Sequence, residues 1–195
     1  MDEERLQKQI DFILEADKLK KIFRKTYLAD GSRYENDAEH SWHLALMTIL
    51  LSEYSNKSID VLKVIKMVLI HDIVEIDAGD TYCYDDAANE DKAEREMAAA
   101  KRLFALLPSD QHKEFMDIWI EFEENKTAEA NFANALDCFQ PVNLNYASGG
   151  ISWIENNIAY NQVLKRISKV KDGSIELWNY AKKIIDSAML KKYIR

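Results

Sequence analysis

His71-Asp72 followed by Glu75 is the densest group of chemistry-bearing side chains in the 195-residue sequence. On a helix of about 3.6 residues per turn, His71 and Glu75 share one face at i and i+4, and Asp72 lies about 100° round from His71. The residues before them, among them Val64, Met67, Val68 and Ile70, are apolar enough to demand burial. Three ionisable groups at the end of such a helix need partners, because unpaired buried charge is costly. A His-Asp dipeptide alone is more often a solvated helix end than a site. Two further residues change that balance. His40 precedes Leu44, Met47 and Leu51 at i+4, i+7 and i+11, which puts it on an apolar face. A lone histidine there is more often a hydrogen-bonded core residue than a ligand, and His43, a turn later, has a weaker case still. Asp137 lies between Leu136 and Cys138, where a carboxylate is unusual. Pro141 cannot donate to the Asp137 carbonyl, so a kink is expected beside it. Two histidines and two carboxylates form a mixed donor set that suits a first-row divalent metal and leaves positions open. Such an ion lowers the pKa of bound water and polarises a phosphoryl oxygen.

The elements that must position these groups read as about eight helices and no strand. Glycine (5) and proline (2) are scarce, which favours long helices. Leu6, Ile10, Ile13 and Leu14 predict a first helix over 3–23. Residues 24–36 lose periodicity and carry the turn signal Asp30-Gly31-Ser32. Asn36 with Glu39 forms a capping box that opens a second helix, to about Tyr54. A third runs from about Ile59 to Glu75, closed by Ala78-Gly79-Asp80, and residues 80–89 form an acidic, tyrosine-bearing loop. A fourth spans about 90–107 and stops before Pro108. Ser109 caps a fifth, to about Glu124, and Thr127 starts a sixth. Gly149-Gly150 precedes a seventh, where Ser152 and Glu155 suggest another capping box. Asp172-Gly173-Ser174 separates it from the eighth. Without repeat, low-complexity segment or long linker, residues 1–195 read as one helical domain.

A formal net charge of −8 argues against a general nucleic-acid surface, which needs clustered Lys and Arg. It leaves room for a small phosphorylated substrate, since a bound cation reverses the local sign. Cys83 and Cys138 form no CxxC pair and read as reduced thiols. The charged start Met1-Asp2-Glu3-Glu4-Arg5 has no apolar signal region. With no run of about 18 apolar residues, no membrane span is expected, and cytoplasmic location is the default expectation.

The order His40, His71-Asp72, Asp137 resembles the H…HD…D signature of the HD-domain superfamily. The wider pattern, Arg33-x-Glu35-Asn36-x-Ala38-Glu39-His40-Ser41, His71-Asp72-x-x-Glu75-x-x-x-Gly79-Asp80 and Ala135-Leu136-Asp137, is similar to the HD-domain 5'-deoxynucleotidases over roughly residues 5–145. The resemblance implies an all-α, single-domain helical bundle, usually a homodimer, with one divalent ion per chain: cobalt, manganese, magnesium or zinc. It implies hydrolysis of nucleoside 5'-monophosphates to nucleoside and phosphate. Carried over by position, His40, His71, Asp72 and Asp137 ligate the metal, Glu75 handles protons, Asp80 contacts the sugar, and Arg24, closing the first helix, binds phosphate. Where the bacterial deoxynucleotidase has an Arg-Trp pair, this chain has Arg24-Lys25, so the ring that helps reject a 2'-hydroxyl is replaced. The other readings are an HD-domain phosphohydrolase acting on another phosphate ester or a cyclic nucleotide, and a non-catalytic helical binding protein. Large apolar residues in the last two helices, about 152–195 (Trp153, Ile154, Trp178, Tyr180, Ile184, Ile185), are expected either to pack on the domain or to form the dimer interface.

Overall fold

The computed structural model describes residues 3–84 and 90–195; the tip of the expected acidic loop, 85–89, and residues 1–2 lie outside the described residues. The molecule is built round α7 (Ala128–Ala147), which buries Phe132, Ala133, Leu136, Phe139 and Val142. A helix with buried residues on this many faces belongs at the centre of a bundle. Its N-terminus is fixed by Thr127, whose side chain accepts from Ala130 N, and it continues through Pro141. Packed on it are α2 (Asp37–Leu51), α3 (Val61–Ile70), α6 (Ser109–Glu124), α9 (Tyr160–Ile167), α10 (Val170–Gly173) and α11 (Ile175–Leu190). The hydrophobic core is one cluster running from Phe12 to Ile194.

Local signals account for many of the boundaries. The Asn36–Glu39 capping box opens α2. Asp60 accepts from Leu62 N and Lys63 N to open α3, whose Val64, Met67 and Val68 are fully buried. Ser174 caps α11 by accepting from Leu177 N. Ser109 does not cap α6: Pro108 holds that position without a side-chain bond, and Ser109 is the first helical residue.

Three further expectations are corrected. The first helix is shorter than 3–23: α1 (Glu3–Ala16) passes into a 3-10 turn, Asp17–Lys21. The stretch that lost periodicity is an antiparallel ribbon, β1 (Phe23–Tyr27) against β2 (Tyr34–Asn36), with Phe23 opposite Asn36 and Tyr27 opposite Tyr34. Arg24 therefore sits on a strand and does not close a helix. Thr26 and the flanking aromatics favour extended backbone, but five residues are too few for the alternation to stand out. The third correction concerns the seventh helix, which is divided into α8 (Ile151–Glu155), α9 and α10. Gly150 occupies the cap position of α8, so Ser152 lies inside it, and Asn157 at φ 53° turns the chain out of helix.

The remaining helices are α4 (Glu75–Ala78) and α5 (Lys92–Phe104). Apart from the ribbon, the regular structure of the described residues is helical, and no helix among them is long and apolar enough to cross a membrane. Of the C-terminal apolar residues, Trp153, Ile184 and Ile185 fill the core, whereas Ile154 and Tyr180 are more than half exposed.

Candidate metal centre

α3 does not run straight into Glu75. It tightens at His71–Val74 into a 3-10 turn before α4 resumes and ends at Gly79, φ 76°. At about three residues per turn, His71 and Glu75 no longer share one helical face. They enter two adjoining groups. The ligand atoms of His40, His71 and Asp72 lie within 4.8 Å of one another, and so do those of Asp37, Glu75 and Asp80. Asp137 borders the first group, with Oδ1 3.1 Å from His40 Nε2 and 4.0 Å from His71 Nε2. All four sequence-expected ligands thus meet at the junction of α2, the 3-10 turn and α7.

Each imidazole is oriented from behind. His71 Nδ1 donates to Val68 O at 3.0 Å, which leaves the buried Nε2 as a lone pair that faces Asp72 Oδ1, another acceptor, at 3.0 Å without a hydrogen bond. Burial lowers the pKa of His71 and favours that neutral form. His40 is fully buried and donates from Nδ1 to Gln140 Oε1 at 3.2 Å and from Nε2 to Asp137 Oδ1. Burial and Arg24 oppose its charge, but the hydrogen bond to Asp137 and the Glu35 carboxylate 3.6 Å from Nδ1 outweigh them and push its pKa up to about 9. Gln140 Nε2 in turn donates to Glu35 Oε1 at 2.7 Å and meets His43 Nδ1 at 3.2 Å. His43 is therefore part of the frame behind His40.

The charges are unevenly distributed. Arg24 Nη1 donates to Asp72 Oδ2 at 2.9 Å and Asp37 Oδ1 at 3.3 Å, and Asp80 Oδ1 is 3.8 Å away. Burial works against this guanidinium, but the surrounding carboxylates keep it charged. Glu75 is 4% exposed; burial, with Asp72 and Asp37 nearby, raises its pKa well above the carboxylate range. Burial also raises Asp37. Two such carboxyls hold a proton more readily than two exposed ones. Asp137 goes the other way: burial opposes its charge, yet His40 and Arg166 hold its pKa well below the usual range.

Arg24, His71, Asp72, Glu75, Asp80 and Asp137 line one cavity of about 150 Å³, together with Lys25, Tyr82, Lys92, Phe122, Glu123 and Arg166, while the fully buried His40 and Asp37 lie behind its wall. Asp37, Glu35, Gln140 and Arg166 went unmarked as functional residues in the sequence. Asp37 reads as an ordinary acidic residue in a first helical turn, and Arg166 as an ordinary basic residue in a last one. Only Glu35 carried a signal, as part of the motif around His40.

The HD-domain family model matches residues 16–178. The chain belongs to the HD-domain family. Bovine 5'-deoxynucleotidase HDDC2 is 31% identical over 130 residues, 66% of this chain and 62% of that protein. The chain therefore spans less than two thirds of the bovine relative. The 5'-deoxynucleotidase HDDC2 of Dictyostelium discoideum is 30% identical over 139 residues, 68% of this chain and 73% of that one. A crystal structure from Magnetospirillum magnetotacticum MS-1, described as a predicted metal-dependent phosphohydrolase, has a TM-score of 0.94 at 47% identity, covering 98% of this chain and 96% of that chain. An HD-domain phosphohydrolase from Listeria innocua, at 15% identity and TM-score 0.58 over 93% and 85% of the chains, shares the fold. This HD-domain chain keeps both the helical bundle and the His/Asp cluster that could hold a metal.

Proposed function

We propose that this HD-domain chain hydrolyses (deoxy)nucleoside 5'-monophosphates to nucleoside and phosphate, with one divalent ion held by His40, His71, Asp72 and Asp137. The observation that carries the reading is His71 Nε2, a buried lone pair without a hydrogen-bond partner beside two more converging ligand atoms. That donor set fits a divalent cation, and an imidazole anchored through its other nitrogen is the form a ligand needs. When His40 gives up its Nε2 proton, Nδ1 remains the donor to Gln140, so it can present the same form. A cation there supplies an activated water and polarises a phosphoryl oxygen.

The chain's own residues divide the remaining work. Glu75, as the carboxylate, takes a proton from the attacking water and, with its proton affinity raised by burial, returns it to the departing 5'-oxygen. Arg24 offers a planar donor fork to phosphate. Asp80, 3.8 Å from Arg24, faces the sugar. Lys25, on the exposed side of β1, borders the same cavity without forming an aromatic wall. The relatives named 5'-deoxynucleotidase support this substrate class over cyclic nucleotides, and retention of Glu75 and every expected ligand supports catalysis over a binding role. The expected homodimer has candidate faces on the last helices, where Ile154, Ile175, Tyr180 and Leu190 are more than half exposed, and on α1 and α2, where Leu14, Trp42, Ile49 and Leu50 are each at least 60% exposed; apolar surface of this kind marks contact sites.

The test is phosphate release from the common deoxy- and ribonucleoside monophosphates with cobalt, manganese, magnesium and zinc in turn, with Asp72→Ala as control. Release that disappears in Asp72→Ala together with bound metal is the expected result. No release with any pair, or full activity in a metal-free Asp72→Ala, overturns the proposal.

A further inference from the structure

Arg166 is not among the residues to which the resemblance gives a role. It sits at the penultimate position of α9, between the fully buried Val163 and Ile167, so its backbone is fixed by the core while its side chain enters the cavity. Nη2 donates to Asp137 Oδ2 at 3.1 Å, and the other oxygen, Oδ1, faces His40 and His71. The side chain is 32% exposed. Among the described residues this is its one hydrogen bond, out of five N–H donors in a guanidinium.

Of the other cations of the cavity, Lys25 lies over the Tyr34 ring on the exposed strand, and Arg24 and Lys92 are more committed than Arg166. Arg24 lies within 4.0 Å of carboxylate oxygens from Glu35, Asp37, Asp72, Asp80 and Asp137. Lys92 faces Glu96 at 3.4 Å. A phosphomonoester dianion entering here meets Asp72, Glu75, Asp80 and Asp137, and docking it requires positive charge with donors to spare. Resting on the function proposed above, we infer that Arg166 is a second phosphate-binding group, gripping a phosphoryl oxygen beside the metal ligands while one of its donors steadies Asp137. The competing role is narrower: Arg166 only orients Asp137, as outer partners of metal ligands do.

Titration calorimetry of the manganese-loaded protein with inorganic phosphate separates the two roles, with manganese affinity measured on the same variants. Arg166→Gln is expected to weaken phosphate binding at saturating manganese by about 10- to 100-fold, the scale for a lost hydrogen bond to a charged group; manganese affinity falls separately as Asp137 loses its partner, by up to about 100-fold. Arg166→Lys keeps the charge but loses the planar fork, and should weaken phosphate binding to a smaller but measurable degree; it decides the matter if Arg166→Gln does not fold. Phosphate affinity equal to wild type in the folded variants overturns the inference. So does a loss that only follows the loss of manganese, or a wild type that binds no phosphate. Turnover of nucleoside monophosphates by the same wild-type preparation is the separate check. If it is absent, the proposed function fails; if it is present while phosphate affinity does not respond to Arg166, this inference alone fails.

Discussion

Gly173→Ala should be among the more damaging small substitutions outside the cavity, and the geometry sets its size. A Cβ at Gly173 would lie 2.3 Å from the Asn131 carbonyl oxygen, 2.8 Å from its carbon and 2.7 Å from Ala135 Cβ. Two of those three atoms are backbone of α7 and cannot rotate away, so α10 and α7 must separate. Overpacking of a well-filled core costs about 1–3 kcal/mol. A clash with backbone on a central helix belongs at the upper end, about 3 kcal/mol. For a chain of this size that is a fall in Tm of about 6–12 °C. Ala135 is two residues from Asp137, so metal affinity should fall as well. Gly149→Ala is the control: nothing lies within 4 Å of its added Cβ, and only its φ of 76° is unfavourable. That strain costs about 1–2 kcal/mol. The assay is thermal unfolding followed by circular dichroism with and without manganese. A Gly173→Ala protein melting within about 2 °C of wild type, less than 1 kcal/mol here, would refute the close approach of α10 to α7.

Glu75→Gln should retain its metal while turnover falls by about 10² to 10⁴, the scale of general acid–base catalysis; near-normal turnover removes Glu75 from the mechanism. Sugar selectivity should be modest, because a merely apolar or unwalled pocket discriminates by only about 10²-fold. The kcat/KM ratio for dAMP over AMP should rise in Lys25→Trp, and a wild-type ratio beyond about 10³ would mean that another residue does the excluding. The metal-free protein should lose stability with rising pH on account of His40. Its folded pKa of about 9 lies above the ordinary 6.5, so this contribution is fully present below about pH 6.5 and is lost as pH rises through about 9. Urea titrations in chelator across that range would expose the opposite slope if the assignment is wrong.

The convergence of the candidate site was more legible in the sequence than the fold's finer divisions were. His40, His71, Asp72 and Asp137 stand out because an ionisable side chain inside an apolar helical pattern contradicts its surroundings. Their convergence does not depend on knowing the crossing angles of α2, α3 and α7. The second layer offered no such contradiction. Gln140 and Arg166 are ordinary helical residues until α7 and α9 are placed side by side. Asp172-Gly173-Ser174 looked like a turn, whereas the glycine is there for closeness: its added Cβ would strike α7, and its φ is not among the positive values. The ribbon was missed because pairing is nonlocal; nothing in residues 23–27 alone announces residues 34–36. The exposed Leu6, Ile10, Ile13 and Leu14 of α1 show the limit of periodicity, which finds an apolar stripe but not what covers it.

The proposed ligand set draws one side chain from α2, two from the 3-10 turn after α3, and one from α7. An ion bound to all four would tie together stretches that are remote along the chain, and the unfolded chain could not offer them in that arrangement. Occupancy and folding are then one linked equilibrium. Above the dissociation constant, each tenfold rise in free metal adds about 1.4 kcal/mol to the folded state. Within the proposed function, the supply of divalent ions around the protein would set its lifetime against unfolding and proteolysis as well as its rate.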